Sequence, residues 1–484
     1  MSPNSLDVHD PVNKDGCSSS KKNPRSCPYL DTVNRTSLDF DFEKLCSISL
    51  LDYNIYACLT CGKYFQGRSP NTHAYIHSLD SKHHVFINTE TKKIYCLPDN
   101  YEVIDSSLDD IKGMLDPQLT DQEIEIIDKE VITSRTLDGH QYICGVAGLN
   151  TLNKADHINT SIQALAHLPK VRNFFFKQSN YCHPDYKATE LISRFGILIR
   201  KLWNPHNWRS HISPHEFIQE LSLRSKRKFA IGLHGDPLEF YVWLVNVLKQ
   251  DMKPFVKFCL ESLHQQAQNV SDLFCGKIRI NAVKNAKRTK LDVSTSGQSS
   301  STIDNSQSAI TPIICQTIPF FFLQLDLPAI SLYKDEKSIN VTPQIPIYNL
   351  LCKYDGRTTH FVPWLLETRT YTITKLPKYL VFYIKRFSTN QFLTEKNKTI
   401  VNFPVQDLEM AGFIAPEAAS DGSTKYDLRS YICHNGDAEK GHYSARIHHQ
   451  ANNKWYDCQN LYISEILPED HLLAEAYMLF YERQ

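Results

Sequence analysis

The chain of 484 residues has no surplus of charge, with Lys+Arg and Asp+Glu each counting 53. A chain dominated by phosphate contacts would carry a basic excess, so only a local basic patch is left open. Long apolar runs are missing as well. A spanning helix needs about 18 such residues, and the best stretch, Ile313 to Leu323, is broken by Gln316, Thr317 and Pro319. No membrane partner is expected. The N-terminus, MSPNSLDVHDPVNKDG, has no apolar core of the secretory type. Its 14 Cys are too sparse for a disulfide scaffold, which leaves metal binding or buried thiols. No internal repeat occurs. A soluble, intracellular protein is the expectation.

What is present is globular in texture. Hydrophobic residues make up 42% and charged residues 22%, which excludes collagen, a coiled-coil rod and a wholly disordered chain. The 24 Phe and 24 Tyr supply core material. At ~100–200 residues per domain the length suggests two to four domains. Residues 1–26 are rich in Ser, Asn, Asp and Lys and read as a disordered tail. Lys21, Lys22 and Arg25 form a small basic group there, suited to nuclear import, RNA contact or mere solvation. Residues 27–115 concentrate Cys and His. Residues 116–144 read as a connector, whose charged part, Asp121 to Lys129, is helical or extended. Residues 145–484 form a larger domain. Its early part has helical periodicity over Thr160–Phe176, Leu191–Trp203 and Pro237–Leu248. Its later part has short β-type runs at Phe320–Leu327, Tyr371–Thr374, Leu380–Phe387 and Tyr426–Cys433. A Ser-, Thr- and Asn-rich stretch at about 285–307 separates them and reads as a disordered insertion. Helices first and strands later make an α+β domain.

Cys58-Leu-Thr-Cys61 has the C-x2-C spacing that lets two sulfurs reach one ion from one tight turn, and Gly62 suits that turn. His77 and His83 follow closely. Two thiolates and two imidazoles make a tetrahedral set for one structural Zn²⁺, with no open position for catalysis. The alternative is buried thiols with surface histidines.

These residues, with Gly67-Arg68 and His73-Ala-Tyr-Ile-His77, resemble the zinc finger found beside ubiquitin-specific proteases. The resemblance implies further zinc sites in some members. Their positions here are Cys46, Ser49, Gln66 and His73 for the second, and Cys27, Tyr29, Cys96 and Asp99 for the third. Both lack ligands, so one zinc is expected. Ubiquitin-binding members hold the free ubiquitin tail through an arginine and aromatics. Arg68 matches the arginine and Tyr95 is the nearest aromatic, which implies weak or absent ubiquitin binding; a structural arginine is the other reading.

Gly148-Leu149, Asn159 and Gln163-Ala-Leu165 resemble the cysteine box of the same proteases, a papain-like fold. The nucleophile position holds Asp156. A thiolate at a helix head attacks an isopeptide carbonyl, whereas a carboxylate is a poor acyl-transfer nucleophile there. Asp156 instead suits capping of the helix and its dipole, or a pairing with His442. The oxyanion-donor position is Thr151. Gly441-His442-Tyr443, with Trp455 downstream, resembles the histidine box, so His442 matches the general base. The orienting acid falls on Gln459, with Asn460 beside it; an amide gives imidazolium no charge. Cys144 and Cys458 lack a nucleophile's context and read as buried thiols. Further blocks match at Ser213–Phe217, Gly235–Phe240 and Leu376–Phe387. Cys315 and Cys352 stand alone, so no second structural zinc is expected.

One branch of the family pairs such a finger with an inactive protease-like domain: the ubiquitin-specific-protease-like splicing factors of the spliceosomal tri-snRNP. Cys27–Arg35, Leu38–Ser49, Tyr95–Tyr101, Leu202–Pro205 and Leu332–Lys337 resemble its signature. Membership implies a nuclear, non-catalytic scaffold for pre-mRNA splicing that supports the U4/U6.U5 tri-snRNP. The partners implied are tri-snRNP proteins, with snRNA as a further class. A ubiquitin reader or a residual deubiquitinase are the alternatives.

Overall fold

Alternating and fully apolar short runs bounded by Gly, Asn and Asp turns make the strands, and the longer 3.6-residue periods make the helices. A computed structural model describes residues 27–151, 153–264, 267–284, 313–329, 343–363, 365–389, 394–419 and 422–484. The tail 1–26, the insertion at about 285–307 and the block Leu332–Lys337 lie outside the described residues. The chain divides into two units, Met1–Phe40 with Lys44–Leu115, and Asp41–Glu43 with Asp116–Gln484.

The first unit is an antiparallel five-stranded sheet. In spatial order its strands are Tyr64–Gln66, Ile55–Cys58, Val85–Asn88, Ile94–Cys96 and Tyr101–Val103. The two central strands are buried along their length. One helix, His73–Asp80, packs beside them, and its Ala74 and Ser78 are buried. Tyr56, Phe65, Phe86 and Leu97 form the core around Cys58. Fully burying each such side chain is worth about 1.5–3 kcal/mol, too little in so small a unit to dispense with a staple.

The second unit opens with helices and closes with strands. The stretch 116–144 lies within it and carries the helix Asp121–Ile126, started by a Thr120–Glu123 capping box, and a hairpin of Thr133–Arg135 with Gln141–Ile143. The expected run Thr160–Phe176 is two helices, Asp156–Ala166 and Pro169–Phe176. Pro169 has no N–H to continue the first helix and suits the first turn of the second. Glu190–Leu202 and the 26-residue Pro237–Ser262 follow, the latter longer than its clearest apolar period.

The strands form a four-stranded sheet and an eight-stranded one. The larger runs Leu323–Asp326, Tyr379–Lys385, Ala476–Arg483, Lys425–Asn435, His442–His449, Lys454–Gln459 and Tyr462–Ile466, with Leu408–Glu409 off that path. Only the first pair of this series is parallel. The helix Asp156–Ala166 is buried from His157 to Ala166. Several of its polar groups bond internally. Thr160 and Ser161 donate to the carbonyls of Asp156 and His157, each at 2.8 Å, and Gln163 Nε2 donates to Ala147 O at 2.8 Å. Ser430 Oγ, from the sheet, donates to Ala164 O at 3.0 Å and fixes the helix on the strands.

Candidate functional site

In the first unit, Cys58 ends a central strand and the chain turns sharply to Cys61. Gly62 N–H donates to Cys58 O at 2.9 Å with φ +75°. A Cβ there would lie 2.1 Å from Ser37 O, so only glycine fits. The helix brings in His77, and the loop after it brings in His83. Cys58 Sγ lies 3.5 Å from His83 Nδ1, Cys61 Sγ 3.5 Å from His77 Nε2, and the two ring nitrogens 3.2 Å apart. All four ligand atoms fall within 4.8 Å of one another, the one such group among the described residues. A tetrahedron with bonds of about 2.0–2.1 Å to nitrogen and about 2.3 Å to sulfur has edges of about 3.3–3.8 Å. The four atoms therefore fit zinc. The interaction with Cys58 holds the Cys61 thiol below its usual range and pushes Cys58 above it. Ser81 Oγ lies 3.2 Å from His77 Nδ1 and Phe65 stacks on that ring, which orients the imidazole.

The degraded ligand positions are filled by ordinary contacts. Ser49 N–H donates to Cys46 Sγ at 3.4 Å, and Ser49 Oγ donates to Gln66 Oε1 at 3.3 Å. Tyr29 stacks on His84 at 3.9 Å, and burial pushes the Cys96 thiol up to about 11. Arg68 and Tyr95 are brought together. The guanidinium lies 4.2 Å from the ring centroid and also donates to Asn100 Oδ1.

In the second unit, Asp156 is the first residue of its helix and Ala155 is the N-cap, with no side-chain cap bond. The expected capping bond is thus absent. Asp156 Oδ2 instead accepts the backbone N–H of Tyr443 at 2.9 Å, across 287 positions of sequence. The reason is position: a first-turn residue points back over the preceding turn, where the strand His442–His449 begins. Burial alone would raise this carboxyl, but the His157 imidazole 3.9 Å away and the Tyr443 N–H hold it below the usual carboxylate range. Asp156 and His442 share no hydrogen bond or ion pair among the described residues, and His442 is exposed. Thr151 and Gln459 are exposed too, without side-chain partners among the described residues. Asn460, at φ +54°, accepts from Asn159 Nδ2 at 3.0 Å.

The buried imidazole beside Asp156 and Tyr443 is His434, which carried no signal in the sequence. It is 4% exposed, and burial together with Lys396 pushes it down to about 4. Its ring packs on Gly441, where a Cβ would come within 2.2 Å, and 4.9 Å from Tyr443. The Gly-His-Tyr motif thus keeps its glycine for this contact. Cys144 and Cys458 are buried at 2% and 1% exposure, and Cys144 donates to Trp203 O at 2.9 Å. Neither thiol reaches the helix head.

Comparison with known proteins assigns each unit to a family. Residues 147–481 match the family model described as ubiquitin carboxyl-terminal hydrolase, and residues 46–108 match the Zn-finger in ubiquitin-hydrolases and other protein. The chain is 42% identical to human Ubiquitin carboxyl-terminal hydrolase 39 over 96% of its own length and 81% of the relative's. It is 36% identical to the probable mRNA-splicing protein ubp10 of Schizosaccharomyces pombe, over 94% of this chain and 88% of that one. Among solved structures, one described as an essential yeast splicing factor superposes with a TM-score of 0.71 at 27% identity, covering 94% of this chain and 99% of that one. The chain belongs to the ubiquitin carboxyl-terminal hydrolase family, in the branch of ubiquitin-specific-protease-like splicing factors that joins a zinc finger to the hydrolase fold.

Proposed function

We propose that this protein is a non-catalytic scaffold in pre-mRNA splicing, acting in the nucleus to support assembly or stability of the U4/U6.U5 tri-snRNP. The observation that carries the reading is Asp156. The position that would hold a nucleophile holds a carboxylate whose Oδ2 is bonded to the Tyr443 N–H. A carboxylate is a poor acyl-transfer nucleophile, and the exposed His442 has no carboxylate bonded to it among the described residues. The site has the form of a clasp between a helix and a sheet. The splicing relatives named above support the biological setting, and tri-snRNP proteins are the partners proposed.

One structural zinc, on Cys58, Cys61, His77 and His83, completes the proposal. When bound, the ion supplies cross-linking of the small unit and no chemistry. A second reading, capture of a free ubiquitin tail by the finger, is favoured by Arg68 lying over Tyr95. The full chain titrated with ubiquitin, with and without its terminal Gly-Gly, separates the two. Tail-dependent micromolar binding lost in Arg68→Ala supports the reader. The scaffold reading is tested in splicing extract depleted of the endogenous relative. Added wild-type chain and Asp156→Asn should both restore splicing; restoration by neither overturns it.

A further inference from the structure

The last strand of the large sheet borders a cavity of about 440 Å³, a size typical of sites that take a side chain or small ligand. Trp455, Ile466, Leu467 and Pro468 wall it, and His448 and His471 line it too. Among the described residues the strand Tyr462–Ile466 pairs only with Lys454–Gln459, so its other edge has no strand partner there. Leu467, which lines the cavity, is 61% exposed, and Tyr462 at the far end of the strand is 81% exposed.

The polar content of the cavity can be worked out from its hydrogen bonds. Arg446 Nη1 donates to the Tyr431 hydroxyl at 3.0 Å. A guanidinium cannot accept and the buried hydroxyl has no other acceptor among the described residues, so its proton is assigned to His471 Nδ1, 2.6 Å away. Burial pushes His471 down to about 4, so the ring is neutral and its hydrogen sits on Nε2. The residue is only 8% exposed, yet Nε2 has no partner among the described residues and is not sealed from solvent. A nearly buried ring thus offers one unused N–H donor. The charges around it are used up. Arg429 bonds Glu482 at 2.8 Å, Lys454 bonds Glu465 at 2.8 Å, and Asp427 accepts from Gln484 at 2.9 Å. Among the described residues, both the Arg and the Lys that line the cavity are paired with a carboxylate, which favours a neutral peptide over RNA.

We propose that this cavity receives an extended peptide segment of a partner protein. One neutral aromatic or branched apolar side chain enters against Trp455, and an adjacent backbone carbonyl accepts the hydrogen of His471 Nε2. The open strand edge suits an extended chain, as in strand addition. This goes beyond the scaffold reading and stands without it.

The test uses the full chain labelled with 5-fluorotryptophan. Its 5 Trp give separate fluorine resonances, and Trp455→Phe assigns the relevant one. The probes are N-acetyl-tryptophanamide and N-acetyl-leucinamide, which carry a neutral side chain and an amide carbonyl, and adenosine monophosphate. The expected result is a saturable shift of the Trp455 resonance with at least one amide and none with the nucleotide. Leu467→Glu should weaken that response at least tenfold while the other Trp resonances stay in place. No saturable shift with either amide, an equal response to the nucleotide, or a response that survives Leu467→Glu overturns the proposal.

Discussion

Replacing Asp156 by Ala should cost stability and, on the scaffold reading, leave ubiquitin hydrolysis at background. The carboxylate accepts one N–H at 2.9 Å and sits at the first position of its helix. A hydrogen bond to a charged group contributes about 1.5–3 kcal/mol net, and a first-turn carboxylate about 0.3–1 kcal/mol more. The loss should total roughly 2–4 kcal/mol, read as a lower urea midpoint of the second unit's tryptophan fluorescence transition at pH 7. Asp156→Asn keeps an acceptor oxygen and should lose less. The sign with pH follows from the lowered pKa. A carboxyl held below its unfolded value of about 3.9 contributes its full share above that value and loses it as pH falls through the folded one. The difference between wild type and Asp156→Ala should therefore be flat from pH 8 to 5 and shrink in stronger acid. A variant as stable as wild type at pH 7 would refute the clasp. A wild-type ubiquitin hydrolysis that disappears in Asp156→Ala would refute the wider reading.

Restoring the thiol with Asp156→Cys should yield no hydrolysis of fluorogenic ubiquitin above the Asp156→Ala background, because Thr151 and Gln459 are exposed and unpartnered among the described residues; clear turnover would contradict this. Cys61→Ser or His83→Ala should unfold the finger, since structural zinc supplies roughly 10 kcal/mol or more in small fingers. Stoichiometric zinc by atomic emission in Cys61→Ser would contradict the ligand set. His434, neutral in the folded state down to about pH 4, binds its proton in the unfolded chain at about pH 6.5. Stability should therefore fall as pH drops from about 6.5 to 4, by about 2–3 kcal/mol from this residue, and His434→Phe should remove that part of the slope; an unchanged slope would count against it.

Much of the site was legible because its chemistry is local. The C-x2-C turn, Gly62 and two nearby histidines state a metal site within one short stretch, and the folded distances agree with it. Asp156 at the head of a helix was readable for the same reason. What could not be read is what depends on chain segments far apart. The partner of Asp156 is a backbone N–H, which every residue but proline carries, so no residue type marks Tyr443 for the role. Asn159 and Asn460 meet across 301 positions, again with nothing in either neighbourhood to announce it. The break at His167 and Leu168 was concealed by an apolar period that runs through both helices, although Pro169 marks it. The cavity by Trp455 needs four strands and the loops beside them to exist at all.

The scaffold reading is tested most directly by recovering tagged full-length chain from nuclear extract at moderate salt and sequencing the RNA that comes with it. Joint enrichment of the U4, U6 and U5 small nuclear RNAs, undiminished in Asp156→Asn, is the expected result. Their absence, with ubiquitinated proteins recovered instead, would contradict the scaffold reading and favour a ubiquitin reader.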